Sequence, residues 1–544
     1  MRATTMNQFF STTRLLLAPV MAVAFVASAY AAAPGITDTS ATPTFNLTAK
    51  DAYLTQPDGA AVYSWGYGCA TGYTPTFLPS MPNATPTCST MQVPGPTLIV
   101  TAPATVTVTL TNNLPAAAGN TSILFPGFSV ATSGGVAGLL TQEAAPVGCT
   151  PTGCNTVTYT LTIPSTAAGT HAYYSGTQGD LQVEMGLYGA IIVLPAAIPS
   201  SCTSGVHASN LTAQNNWGES NFRLAAAAYY HPQACYDREY LFQFSEMDPN
   251  IHNQVLAQLK AGVASLNVLT EPYHPAYFMV NGRSMPDDMD PNYALQYPHQ
   301  PYNGNPHMHP GEQVLLRIIG QGRWQHPFHE HGNHVRILAR DGNLILSQTN
   351  PNSLAGPLMF TTTTTPGLAM DGIFYFTGKG LNWDMYGHNP ASQDTLAKLP
   401  CTPDANGYNT GAPTAINYFE WCQDHNKPVQ VAPFGDVASG GPATLPDPTI
   451  FTNGPWYGGS PYLGPNATTR ATGCSPGAAA GSCGTTGTTP PSGTIANSPS
   501  GEAGFAFMWH SHNEREITTN NIFPGGMLMM MLVDSREFVI DESN

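Results

Sequence analysis

Two short stretches concentrate the metal-binding chemistry of this chain: His326-Pro327-Phe328-His329-Glu330-His331-Gly332 and, far downstream, His510-Ser511-His512. On a β-strand, side chains at i and i+2 leave the same face. His329 and His331 can therefore aim at one ion, and so can His510 and His512. His326 lies an odd number of residues from His329 and would face the other way, as would Ser511 between its two histidines. Four imidazoles from two strands suit Cu(II) in a tetragonal, nitrogen-rich site, or Zn(II) with more tetrahedral geometry. The competing reading is four histidines held by hydrogen bonds with no ion. Two paired His-x-His motifs favour metal. The candidate ligands are thus His329, His331, His510 and His512, with His326 as a fifth on the opposite face.

Other motifs carry less. His307-Met308-His309 could capture copper, but a turn flanked by Pro and Gly more often uses such residues for hydrogen bonding. Met527, Met529, Met530 and Met531 sit in a terminal apolar run, where methionine usually fills core. His334, His388 and His425 have no partner at ligand spacing. No Ser/His/Asp set, phosphate loop or Glu-x-x-His helix is visible, and Glu330 should point away from its histidine neighbours, beside His326.

The elements that must position these residues read as strands. Gly (53) and Pro (49) are abundant and charged residues are only 9%, which suits short strands joined by turns. A hydrophobic content of 42% argues against disorder. Thr105 to Thr111 and Thr156 to Ile163 alternate in strand fashion, and Gly186 to Pro195 reads as a buried strand. Arg238 to Phe244, Tyr277 to Arg283, Glu312 to Ile319, Gly372 to Thr377 and Phe505 to His510 continue the pattern. One modest helix is expected around Ile251 to Leu259. The fold class is all-β. The expected organisation is a first β-domain over 42–198, a connector over 199–235, and a second β-domain over 236–384 and 501–535. A loop-rich insertion, 385–500, interrupts the second domain.

Residues 1–31 read as a secretion signal: Arg2 and Arg14, an apolar run from Leu15 to Ala29, and Ala29-Tyr30-Ala31 as the cleavage site. Pro19 and the run's length argue against a membrane anchor, and no later segment reads as a membrane span. The expected location is therefore outside the cytoplasm: periplasmic, cell-surface or extracellular. Removing the signal takes away two Arg and no acids, moving the net charge from −16 to −18. Such a chain repels nucleic acid and anionic membranes, so metal ions are the partners expected. All ten cysteines fall in the exported part, which suggests disulfides. Neighbour pairing (69–88, 149–154, 202–235, 401–422, 474–483) would close five short loops, although the sequence leaves the connectivity open.

These landmarks resemble the multicopper oxidase family over roughly 42–198, 236–380 and 503–533. Pro94-Gly95-Pro96-Thr97, Thr111-Asn112-Asn113-Leu114-Pro115 and Gly186-Leu187-Tyr188-Gly189-Ala190 match its first domain. Asn281-Gly282-Arg283, the His326–Gly332 stretch and the His510–Met527 segment match its last. The resemblance implies two cupredoxin-like Greek-key β-sandwiches of the compact two-domain type. It also exposes what is missing. The first-domain ligand motifs fall on Leu124-Phe125-Pro126-Gly127 and Tyr174-Ser175-Gly176, without histidine, and His171 is out of register. Ser511 stands where a blue-copper site needs cysteine, Glu516 where it needs a second histidine, and Asn521 near the axial methionine position. A thiolate with two imidazoles is what makes such a site accept electrons. The resemblance therefore implies a degenerate member with fewer copper ions than the full four and without ordinary laccase activity.

Two function classes are compatible with these residues. One is an exported copper-binding protein with a half-retained type 2/type 3-like histidine site and no type 1 site, with residual oxidoreductase activity on metal ions or small phenols. The other is a structural or surface-assembly protein that kept the sandwich without catalysis. Compact two-domain relatives form trimers around metal shared between subunits. With Leu124, Pro126, Tyr174 and Gly176 in the ligand positions, the expectation here is a monomer or weak homo-oligomer.

Overall fold

The computed structural model describes residues 33–81, 85–379, 399–422, 459–463, 503–536 and 538–541. Its fold is all-β, arranged as two sandwiches. In the first, an outer sheet orders Ala61–Cys69, Thr44–Thr55, Ala104–Asn112, Thr156–Ile163 and Ser129–Gly134. Facing it, an inner sheet orders Gly169–Tyr174, Tyr188–Leu194, Leu98–Thr101, Gly35–Thr37 and Thr76–Leu78. The threonines alternating through Thr156–Ile163 are partly exposed, while Val157, Tyr159, Leu161 and Ile163 enter the core with Val106, Val108 and Leu110 of the neighbouring strand.

The second sandwich repeats the scheme. Its inner sheet runs Tyr277–Val280, Arg238–Met247, Gln313–Gly320, Ala369–Tyr375, Val335–Arg340 and Asn343–Leu344. Its outer sheet runs His307–Met308, Leu528–Asp534, Ala503–Ser511, His326–Glu330 and Thr361–Thr364, with Gly459–Leu463 also paired to Ala503–Ser511. Phe242, Phe244 and Leu316 meet Phe328, Phe507, Trp509 and Met529 between these sheets.

The two inner sheets pack back to back. In Tyr188–Leu194, Ile191 and Val193 face the first core, whereas Ala190, Ile192 and Leu194 meet Leu241, Ile319 and Ala369 of the second domain. That strand is covered on both faces, so its apolar run lacks alternation. Thr170 carries polar pairs across the same seam: its Oγ1 donates to Asp371 (2.6 Å) and accepts from Arg317 (3.0 Å). On the far side Arg317 also donates to Glu239 of its own sheet (2.9 Å), and Tyr229 of the connector donates to Asp371. Asn281-Gly282 makes a tight turn in which both residues have positive φ (54° and 83°). A Cβ on Gly282 would lie 2.1 Å from the Val93 carbonyl oxygen of the first domain, so glycine permits the approach.

Helices are few. The expected one spans Pro249–Lys260, capped by Asp248. A second, Gly205–Asn216, lies in the connector where none was expected. Its buried face is polar: His207 and Asn210 bond Asp237, and Gln214 bonds Glu312. Such a face leaves no apolar periodicity to read. Disulfides join 69–88, 149–154, 202–235 and 401–422. The 474–483 pair, the signal segment, His388, His425 and most of the insertion lie outside the described residues. Among the described residues, no helix is long and apolar enough to cross a membrane.

Candidate metal centre

The strands His326–Glu330 and Ala503–Ser511 are antiparallel neighbours, and their register pairs His329 with His510. Phe328 and Trp509 turn inward to the core, so the histidines emerge on the outer face of the sheet. Ring centroids lie 4.9 Å apart for His329 and His331, 5.4 Å for His329 and His510, and 5.3 Å for His331 and His510. His512 joins at 4.8 Å from His329 and 5.6 Å from His510. One nitrogen from each of His329, His331 and His510 falls within 4.8 Å of the others. His329 and His510 are buried, His331 is half-buried and His512 is exposed, so the cluster opens to solvent on one side.

Neighbouring groups orient the rings. His329 Nδ1 lies 2.8 Å from Thr361 Oγ1 on the adjoining strand. His510 Nδ1 lies 2.7 Å from the Ser511 carbonyl, which can only accept, so this nitrogen carries the proton. In the neutral ring, His510 Nε2 is then the lone-pair atom, and it stands 3.3 Å from His331 Nε2. Two nitrogens about 2.0–2.1 Å from a common ion at the tetrahedral angle are about 3.3 Å apart, so the spacing fits a shared metal. It also fits a single hydrogen bond from His331 to His510. Burial first, then the neighbouring histidines, holds His329 down to about 4. Burial and its histidine neighbours lower His510 in the same direction, opposed by its bond to the Ser511 carbonyl. Both rings are thus neutral and able to ligate near pH 7.

His326 is not brought into this cluster. It is fully buried on the inward face, with Nδ1 2.9 Å from Glu516 Oε2 and Nε2 2.9 Å from Glu246 Oε2. Its two carboxylate partners raise it to about 9 against the opposing cost of burial, so it is an imidazolium with both nitrogens donating. An imidazolium in this arrangement has no lone pair for a metal. Ser511 donates its hydroxyl to the same Glu516 oxygen. Glu246 also accepts from the backbone N–H groups of Arg323 (2.5 Å) and Trp324 (2.8 Å). Sequence reasoning anticipated Ser511 and Glu516 around His326. It missed Glu246, which arrives from the inner sheet and whose position in sequence gives no sign of it.

Other expectations find their places. Glu330 points inward with His326 and Phe328, accepts from Thr362 Oγ1 (2.5 Å), and is raised by burial to about 8. His307 and His309 are buried: His307 Nδ1 lies 2.6 Å from Asp534, and His309 Nε2 lies 2.6 Å from Glu219, within an ionic network that includes Arg238 and Glu312. That is a structural site, not a surface capture element. Met527, Met529 and Met531 are core. His334 is buried with its ring 5.2 Å from Phe360. In the first domain, Leu124 N–H donates to the Tyr174 carbonyl (2.8 Å), and Gly176 packs against the Leu124 side chain. His171 bonds the Ala167 carbonyl (3.1 Å) and rests on Phe128.

Comparison with known proteins gives one family match. Residues 76–197 match the sequence profile described as multicopper oxidase. Over those residues the chain is similar to a multicopper oxidase domain. This matched domain is the one without ligand histidines, whereas the histidine cluster lies in the second sandwich. Similar solved structures include the multicopper oxidase mgLAC, at 15% identity over 90% of this chain and 85% of that one, with a TM-score of 0.42. A blue copper oxidase from Nitrosomonas europaea matches at 14% identity, 90% and 85% coverage and a TM-score of 0.43. A copper nitrite reductase from the same organism matches at 17% identity, 61% and 84% coverage and a TM-score of 0.35. No curated protein matches the chain.

Proposed function

We propose that this is an exported copper-binding protein of multicopper oxidase type, with one nitrogen-rich centre formed by His329, His331, His510 and His512. The observation that carries the reading is the pair of Nε2 atoms 3.3 Å apart, one fixed as a lone-pair atom by the Ser511 carbonyl. Copper held there would supply one-electron chemistry at an ion open to an outside ligand. The chain's own residues keep His329 and His510 neutral, orient their rings and leave the His512 side open. Ser511 stands between His510 and His512 where the resemblance calls for a thiolate, and it bonds the Glu516 that holds His326. Oxidation of metal ions or small phenols would therefore be residual. Zn(II) fits the same donors, and competition between the two ions would rank them.

Copper reconstitution of the purified protein, followed by dialysis, tests the proposal. About one tightly held copper per chain is expected, with a type 2 paramagnetic signal and no intense blue thiolate band. Replacing both His510 and His512 by alanine should abolish the signal. A stoichiometry near zero would instead favour the structural, non-catalytic reading. Export is supported by the signal-like residues 1–31 and the four disulfides.

A further inference from the structure

We propose that the buried Glu246–His326–Glu516 triad positions the metal centre, acting through Ser511 on the ring of His510. The proposal rests on the reading of that centre as a metal site. The strand Ala503–Ser511 ends at the cluster, and side-chain contacts anchor the turn leading out of it. Ser511 Oγ donates to Glu516 Oε2 and accepts the Asn513 N–H (3.2 Å). Glu516 Oε2 is also held by His326 Nδ1, and Glu516 Oε1 by Asn513 Nδ2 (2.9 Å). His326 is anchored in turn by Glu246, which the Arg323 and Trp324 backbone fixes. All members of the triad are fully buried, as is Ser511.

The consequence reaches the ligand through one carbonyl. With the Ser511 side chain fixed, its carbonyl is held 2.7 Å from His510 Nδ1, and this contact keeps the proton on Nδ1 and the lone pair on Nε2. Losing a partner of this kind, bonded to the non-ligating nitrogen of a metal-binding histidine, typically costs about 10–100-fold in metal affinity. Ser511, Glu516, His326 and Glu246 are thus positioning residues. The place of a blue-copper ion holds a cation–carboxylate cluster that orients the remaining site.

Two measurements on the full exported chain test this: Cu(II) titration at fixed pH, and ring-nitrogen NMR of His510 in metal-free protein. Wild type should show His510 protonated at Nδ1. Ser511→Ala and Glu516→Gln should each give a mixed tautomer and weaken the copper Kd by roughly 10–100-fold. The double variant should be little worse than either single one, because both act along one chain of contacts. An unchanged tautomer with an unchanged Kd in folded variants would overturn the proposal. Should Glu516→Gln fail to fold, Ser511→Ala, which removes one hydroxyl, decides by the same two readouts. A tautomer shift in a protein that binds no copper would sink the copper reading and leave the positioning role standing. Copper binding with an unmoved tautomer would do the reverse.

Discussion

At the scale of single residues, His326 is a cation clamped between two carboxylates and fully buried. Its pKa is raised from the ordinary 6.5 to about 9, by contacts that exist only in the folded chain. Its contribution to stability is fully present below about pH 6.5 and is lost as pH rises through about 9. Denaturant melts from pH 6 to pH 10 should show that decline, and a His326→Leu variant should lack it. The same substitution leaves Glu246 and Glu516 buried without their cation, which typically costs about 3–5 kcal/mol. A loss under about 1 kcal/mol would mean that the carboxylates are content without it. The spacing of His326 placed it on the opposite face from His329. Its protonation depends on Glu246, 80 residues away in the chain, and no local pattern reveals that.

At the scale of elements, the two kinds of strand make a sharper forecast. Thr156–Ile163 shows its apolar residues to one core and its threonines outward, so Thr162→Ala should change stability by no more than about 0.5 kcal/mol. In Tyr188–Leu194 both faces are covered. Ile191→Ala and Ile192→Ala should therefore each cost about 2–5 kcal/mol, although their side chains point in opposite directions. Near-neutral Ile192→Ala would contradict the packing of the two inner sheets. The alternating strand was legible because its pattern has period two. The covered strand was legible only as buried, since an unbroken apolar run does not say what lies on either side. Gly205–Asn216 was not legible at all, because its inward face is His207, Asn210 and Gln214.

At the scale of the molecule, the inner sheets share an apolar seam bridged by Thr170, which bonds both Arg317 and Asp371. A seam of this kind should make the two sandwiches unfold together. Calorimetry is expected to show one transition, and Asp371→Ala, which strips acceptors from Thr170 and Tyr229, should lower it or split it. Two well-separated transitions in the native protein would show that the domains are independent. Assembly obeys a different logic. Leu124, Tyr174 and Gly176 pack on one another at the positions where the resemblance would put metal ligands, and none of the three is a histidine. Light scattering is expected to give a monomer or weak oligomer that is indifferent to chelator. A trimer that falls apart when copper is stripped would refute this.

Chemistry with a short period was written in the sequence alone. Two His-x-His pairs and strand alternation fix which side chains leave a strand together, because that geometry is local. That no cysteine stands between His510 and His512 was equally plain, since Ser511 occupies the position. Only the folded chain places His329 opposite His510, some 180 residues away. Folding likewise brings a carboxylate from the inner sheet to complete the cluster around His326, and lets the Ser511 carbonyl set the tautomer of His510. These are matters of register and layer packing. A strand's own residues say which face they take, but not which strand or sheet will meet that face.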